Sequence, residues 1–229
     1  MWSGPRNLST AMMRSFGSRA DCAVMDEPFF APYLAATGKA HPGRDETLAA
    51  CETDPHKVAA TCRAAGQRGL SFQKHMPHHM LPDFPLDWAA EAKHFCLIRH
   101  PARVMASYAK GRQEFIEEDL GYAAQRRLFD YFGGPPVIDS DDILSAPDPA
   151  LRALCAAIDI PFDDAMLSWR AGKRDSDGIW AKHWYASVEK SSEFMPYNED
   201  ETAIPEHLRP VLEECNALYQ QMEQYRLLK

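Results

Sequence analysis

No apolar run in these 229 residues approaches the length that crosses a bilayer, and no membrane partner is expected. No internal repeat, low-complexity tract or Pro-, Gly- or Ser-rich linker divides the chain, so one domain over residues 1–229 is expected. There is no basic excess. The 33 acidic and 25 basic residues give a formal net charge of −8, which argues against general binding to nucleic acid or to an anionic membrane but permits a local basic pocket. No C-x-x-C pair occurs among Cys22, Cys51, Cys62, Cys96, Cys155 and Cys215. Reduced thiols in a cytoplasmic protein are expected, rather than a disulfide frame or a zinc site. No signal peptide is visible before the first turn. No Gly-Lys-Ser/Thr ending marks a Walker A loop.

What is present begins at Ser3-Gly4-Pro5-Arg6-Asn7-Leu8-Ser9-Thr10. Gly4 and Pro5 suit a turn. Ser9 and Thr10 suit a helix start, because their hydroxyls satisfy backbone N–H groups that lack helical partners. A turn feeding a helix N-terminus points free N–H groups at one spot, where a phosphate is a natural guest, and Arg6 adds a forked cation beside it. Alone, the segment also fits an ordinary helix start with an exposed Arg. Only Met1 and Trp2 precede it, so the first strand is very short or the natural start lies upstream.

The rest of the chain alternates strand and helix. A helix is expected from about Ser9 to Ser18, then a buried strand at Cys22–Met25 ending in Asp26-Glu27-Pro28. These two acids lie at a ligand-binding strand end, cap a helix from Pro28, or do both together. Helices are expected at 45–50 and up to about 65, interrupted near Asp54-Pro55, and a strand at 69–74. His75-Met76-Pro77-His78-His79 follows; Pro77 between the histidines favours loop residues over a metal site, and no metal is expected. His94–Ile98 is the most strand-like run, ending in Arg99 ahead of a helix that carries Ser107. An amphipathic helix is expected over Phe115–Phe132, a fifth strand at Pro135–Asp139, and a helix at Leu151–Ile158. A basic loop with Lys173 and Arg174 then leads into the aromatic run Ile179–Tyr185. The tail, Pro205–Leu228, reads as one long helix with Leu208, Val211, Leu212, Leu218, Met222 and Tyr225 on its core face. This order predicts an α/β three-layer sandwich: a central parallel sheet of about five strands, helices on both faces, and a ligand cleft at the strand carboxyl ends.

Four separated stretches resemble sulfotransferases that use 3′-phosphoadenosine 5′-phosphosulfate as donor, in a divergent bacterial style. Pro5-Arg6-Asn7-Leu8-Ser9-Thr10 resembles that family's Pro-Lys-Ser-Gly-Thr-Thr loop for the 5′-phosphate, with Arg6 at the lysine and Leu8 at the glycine. Arg99 and Ser107, eight positions apart, match its 3′-phosphate signature. Lys74-His75-Met76-Pro77 is similar to its Lys-Thr-His-Leu-Pro stretch, whose His is the catalytic base. Lys173, Arg174 and Gly178-Ile-Trp180 resemble its Arg-Lys-Gly to Gly-Asp-Trp loop. Ala11 replaces a Trp that stacks on adenine in many members.

The resemblance implies a P-loop nucleoside triphosphate hydrolase-like fold and sulfuryl transfer to a hydroxyl or amine of a small-molecule acceptor. Arg6 and the Leu8–Thr10 amides would stabilise the leaving phosphate, with help from Lys74. His75 would be the base and Glu27 its rival. Arg99, Ser107, Lys173 and Arg174 would clamp the 3′-phosphate. The alternatives are a catalytically degenerate nucleotide-binding protein of the same fold and a P-loop kinase. The latter wants the Lys-Ser/Thr ending and a strand-end Asp for magnesium, where this chain has Arg99. The acceptor and the oligomeric state are not legible in the sequence.

Overall fold

The computed structural model describes residues 1–109, 112, 114–197 and 204–228. In chain order the elements are β1 (Trp2–Ser3), α1 (Ser9–Gly17), β2 (Cys22–Asp26), α2 (Phe30–Thr37), α3 (Arg44–Ala50), α4 (Pro55–Gln67), β3 (Leu70–Lys74), β4 (Cys96–Ile98), α5 (Pro101–Ala109), α6 (Glu117–Leu120), α7 (Tyr122–Tyr131), β5 (Val137–Asp139), α8 (Ser140–Ser145), α9 (Pro147–Ala157), α10 (Ala181–Trp184) and α11 (Arg209–Glu223). Short 3₁₀ turns punctuate them. They gather into two compact units, each assembled from separated stretches of chain.

The first unit takes the described residues within Met1–Ser9, His94–Phe162 and 194 to the C-terminus. Its sheet is parallel, in the order β1-β4-β5. Trp2 pairs with Cys96 and Ser3 with Leu97, while Cys96, Leu97 and Ile98 pair with Val137, Ile138 and Asp139. All three β4 residues are fully buried, as expected of a parallel strand covered on both faces. Gln125 of α7 donates to the carbonyls of Trp2 (2.9 Å) and Leu97 (3.0 Å), which ties that helix to β1 and β4. α11 packs on α5 and α7.

The second unit takes Thr10–Lys93 and Asp163–Glu193. β2 and β3 form a parallel pair whose register sets Asp26 opposite Lys74. α4 packs on β3; Asp54 caps it by accepting from His56 N at 2.8 Å, and Pro55 opens its first turn.

Several expectations are corrected. The five strands are all parallel, but among the described residues they pair as a group of three and a group of two, not as one five-stranded ladder. β1 has only two residues, and the chain then turns at Gly4-Pro5, where proline has no N–H to extend a ladder. Asp26 and Glu27 do not cap a helix from Pro28: α2 starts at Phe30, and Glu27 has φ +44° and turns its carboxylate to Lys74. The helix expected over Phe115–Phe132 breaks at Gly121, whose φ of +77° ends α6 and starts α7; Ile116 is left exposed. In the tail, Leu208, Cys215, Tyr219 and Met222 are buried while Tyr225 is exposed, so the inner face is rotated from the one expected.

Candidate active site

In the first unit, the loop between β1 and α1 is held by side chains from distant parts of the sequence. Asn7 Nδ2 donates to Leu97 O at 3.3 Å. A Cβ on Gly4 would lie 2.6 Å from Leu120 O, so no other residue fits there without movement. Arg6 and Leu8 adopt left-handed backbone, with φ of +62° and +73°. For residues with a Cβ this costs about 1–2 kcal/mol each. Strain of this kind persists where surroundings enforce it, and such turns direct backbone N–H groups into anion-binding concavities. The Ser9 and Thr10 N–H groups at the start of α1 add to that set.

Arg6, Arg99 and Ser107 come together here. Arg6 Nε donates to Ser107 Oγ at 2.9 Å, and Arg99 Nη1 donates to the Arg6 carbonyl at 2.9 Å. Tyr122 OH donates to Arg99 O at 2.8 Å and fixes the point where β4 gives way to α5. Neither guanidinium has an ion pair with a carboxylate among the described residues, and Arg99 Nε is buried without an acceptor. Burial lowers the pKa of both, with Tyr108 opposing at Arg6 and Asp141 opposing at Arg99. Two half-buried guanidinium groups with N–H to spare have the chemistry that suits an anion.

In the second unit, Lys74 is fully buried. Its Nζ donates to Asp26 Oδ1 (2.9 Å), Glu27 Oε1 (2.6 Å) and Tyr185 OH (2.6 Å), which uses all three ammonium hydrogens. Burial works against the charge, but Asp26, Glu27 and Tyr185 outweigh it and hold the pKa well above the usual lysine value. Lys74 is thus the counter-ion of a buried carboxylate pair. The role of helping the leaving phosphate, expected from the resemblance, does not suit an ammonium with no hydrogen left to give. Burial raises the Glu27 carboxyl pKa, with Lys74 opposing.

His75 is buried beside Phe29 and Trp88. Its Nε2 lies 3.2 Å from Gln73 Oε1. Gln73 Nε2 donates to Cys62 O at 2.8 Å, so the amide must present its oxygen to the histidine. Nε2 therefore carries the proton and Nδ1 the basic lone pair. His79, by contrast, is stacked on Phe30 and Tyr33, with its pKa pushed well down by burial. Among the described residues no group of His, Cys, Asp and Glu is arranged to hold a metal ion.

The loop from 170 to 178 lies in the second unit. Arg14 and Asp177 form a buried two-pronged pair at 2.5 and 2.8 Å, and Asp177 Oδ2 also receives Arg174 N at 2.9 Å. The Arg174 guanidinium donates to the carbonyls of Arg170, Gly172 and Lys173, so it braces its own loop. Lys173 is exposed.

Sequence reasoning missed Gln73 and Tyr185. A glutamine between Phe72 and Lys74 reads as ordinary strand alternation, and nothing local couples Tyr185 to Asp26, 159 positions away. That Asp26 and Lys74 meet follows from the observed register of β2 against β3.

Parallel strands joined by helical connections give the fold of known sulfotransferase domains. The chain is similar to the "Sulfotransferase Domain from the Synechococcus PCC 7002 Olefin Synthase" (TM-score 0.59, 16% identity, 96% of this chain and 92% of that one). It is also similar to the "Sulfotransferase Domain from the Curacin Biosynthetic Pathway" (TM-score 0.54, 15% identity, 97% and 95%). Residues 1–225 match the sulfotransferase domain family, and the chain belongs to it. Two curated relatives from Arabidopsis thaliana, "Branched-chain-amino-acid aminotransferase-like protein 2" and "Branched-chain-amino-acid aminotransferase-like protein 1", are each 36% identical over 223 and 222 residues. The match covers 95% of this chain but only 40% of each relative's length. No helix among the described residues is long and apolar enough to cross a membrane.

Proposed function

We propose that this sulfotransferase domain moves a sulfuryl group from 3′-phosphoadenosine 5′-phosphosulfate to a hydroxyl or amine of a small-molecule acceptor. The observation that carries the reading is the gathering of Arg6, Arg99 and Ser107, with no ion pair from either guanidinium to a carboxylate among the described residues. A donor with phosphates at both ribose ends matches that surplus of charge.

The acceptor oxygen or nitrogen attacks sulfur, its proton passes to His75, and the bond from sulfur to the 5′-phosphate oxygen breaks. The electron pair stays on that phosphate. Arg6 and the loop N–H groups, Leu8 to Thr10, neutralise it as it forms. Pro5 and Asn7 shape and tether this phosphate-binding loop. Arg99 and Ser107 hold the 3′-phosphate, with Lys173 the exposed loop cation on the family's pattern. Glu27 is bonded to Lys74, which favours His75 as the base.

The test is thermal unfolding with adenosine 3′,5′-bisphosphate, compared with ATP plus magnesium. At about 100 times its dissociation constant a ligand adds roughly 2.7 kcal/mol. Stabilisation by the bisphosphate alone, lost in Arg99→Ala, is the expected result. A shift with ATP only would overturn the donor assignment in favour of a kinase.

A further inference from the structure

The loop between β1 and α1 leaves from a strand too short to aim it. β1 has two residues, and its pairing with β4 covers only Trp2 and Ser3. One side chain of α7 reinforces that junction. Gln125 is 1% exposed, and its Nε2 donates to the carbonyls of Trp2 at 2.9 Å and Leu97 at 3.0 Å. Both amide hydrogens are used, and β1 is joined to β4 just before the loop begins. Leu97 O also accepts Asn7 Nδ2 at 3.3 Å, from within the loop, so loop and helix meet on one carbonyl. The entry to α7 abuts the loop as well: a Cβ on Gly4 would lie 2.6 Å from Leu120 O, the carbonyl ahead of the Gly121 turn. One turn before Gln125 on the same helix, Tyr122 OH donates to Arg99 O at 2.8 Å.

Resting on the donor reading above, we infer that Gln125 is a positioning residue for the phosphate-binding loop. It acts only through main chain. By holding the Trp2 and Leu97 carbonyls it fixes the base of the loop, and the Leu8 to Thr10 N–H groups keep one aim before the donor arrives. Arg6 and Leu8 sit in left-handed backbone, which persists where the surroundings enforce it; Gln125 and Asn7 supply that enforcement. The residue type matters. A carboxamide is neutral and carries two hydrogens on one nitrogen, so it bridges two carbonyls without bringing a charge into the core. Methionine keeps the length and has no hydrogen to give. Glutamate keeps the shape and donates only when protonated.

Calorimetric titration of adenosine 3′,5′-bisphosphate into wild type, Gln125→Met, Gln125→Glu and Leu154→Ala tests this, at a temperature where circular dichroism shows each to be folded. Leu154 is fully buried in α9, and its truncation reports what a loss of stability alone does. Leu154→Ala should unfold at lower temperature yet bind as wild type does. Gln125→Met should bind about tenfold or more weakly, the effect of losing one or two hydrogen bonds. Gln125→Glu gives a pH profile that a purely structural role would not move. Compared with wild type at the same pH, its affinity should be lowest at about pH 8 and recover toward about pH 5, as the buried side chain takes up a proton it can donate. Wild-type affinity in Gln125→Met, an equal loss in Leu154→Ala, or a Gln125→Glu ratio that stays flat with pH would overturn the inference. Should Gln125→Met fail to fold, the Gln125→Glu profile decides. A wild type that does not bind the bisphosphate would instead overturn the donor reading itself.

Discussion

Asp26 Oδ2 accepts the backbone N–H of Gly178 at 2.9 Å, so the end of β2 anchors the far end of the basic loop directly. Gly178 has no room for a side chain: an added Cβ would lie 2.1 Å from the ring of Trp180, which is buried and unable to swing aside. Gly178→Ala therefore has to displace either the indole or the Asp26 contact. Overpacking of this kind costs about 1–3 kcal/mol. A lowered denaturation midpoint is expected, with an unchanged slope. A midpoint equal to wild type would mean that the loop is not held against Trp180.

Lys74 tests the other half of the same network. Removing a buried ammonium leaves Asp26 and Glu27 without their counter-ion, a loss of roughly 3–5 kcal/mol. Lys74→Met should show that loss in urea unfolding. The triple change Lys74→Met, Asp26→Asn, Glu27→Gln should recover part of it, because the uncompensated charge has gone. Failure of the triple variant to recover any stability would place the value of Lys74 in its packing rather than its charge.

These contacts explain which parts of the fold and the site were legible in the sequence. The strands at Cys22, Leu70, Cys96 and Val137 announced themselves as short apolar or alternating runs, and Asp54-Pro55 announced α4. The break at Gly121 did not, because the apolar spacing on either side stays in helical phase. The inner face of α11 was misread because Tyr219 is buried against Asp139, 80 positions away, while the equally apolar Tyr225 faces solvent. The loop, Arg99 and Ser107 could be proposed from local pattern. That Arg6 meets Ser107 could not, since spacing carries no information across 101 positions. Lys74 looked like a site cation because the family motif sits on it; only the register of β2 against β3 shows that its charge is already matched.

His75 and Gln73 make a graded kinetic prediction. His75→Ala removes the proposed base and should lower kcat by about 10²–10⁴ with little change in KM for the donor. Gln73→Leu leaves the imidazole in place but removes the oxygen that keeps the proton on Nε2. Its kcat should fall between wild type and His75→Ala, with donor binding again unchanged. Steady-state sulfuryl transfer to an acceptor found by screening provides the readout. An unchanged kcat in His75→Ala would transfer the role to Glu27.

Asp139 makes a prediction about stability against pH. Burial raises its carboxyl pKa from 3.8 to about 6, against the opposing hydrogen bonds from Asp141 N and Tyr219 OH. The folded state therefore holds a proton that the unfolded chain has lost between pH 3.8 and 6. Its contribution is fully present below pH 3.8 and disappears as the pH rises through about 6. A shift of this size corresponds to about 3 kcal/mol. Asp139→Asn keeps an oxygen to cap α8 and an amide to face Tyr219, but has no proton to lose. Unfolding midpoints measured from pH 4 to pH 7 should show wild type losing ground relative to Asp139→Asn as the pH rises. Parallel curves for the two proteins would mean that Asp139 ionises in the fold as it does in water, and that the Tyr219 contact carries no pH dependence.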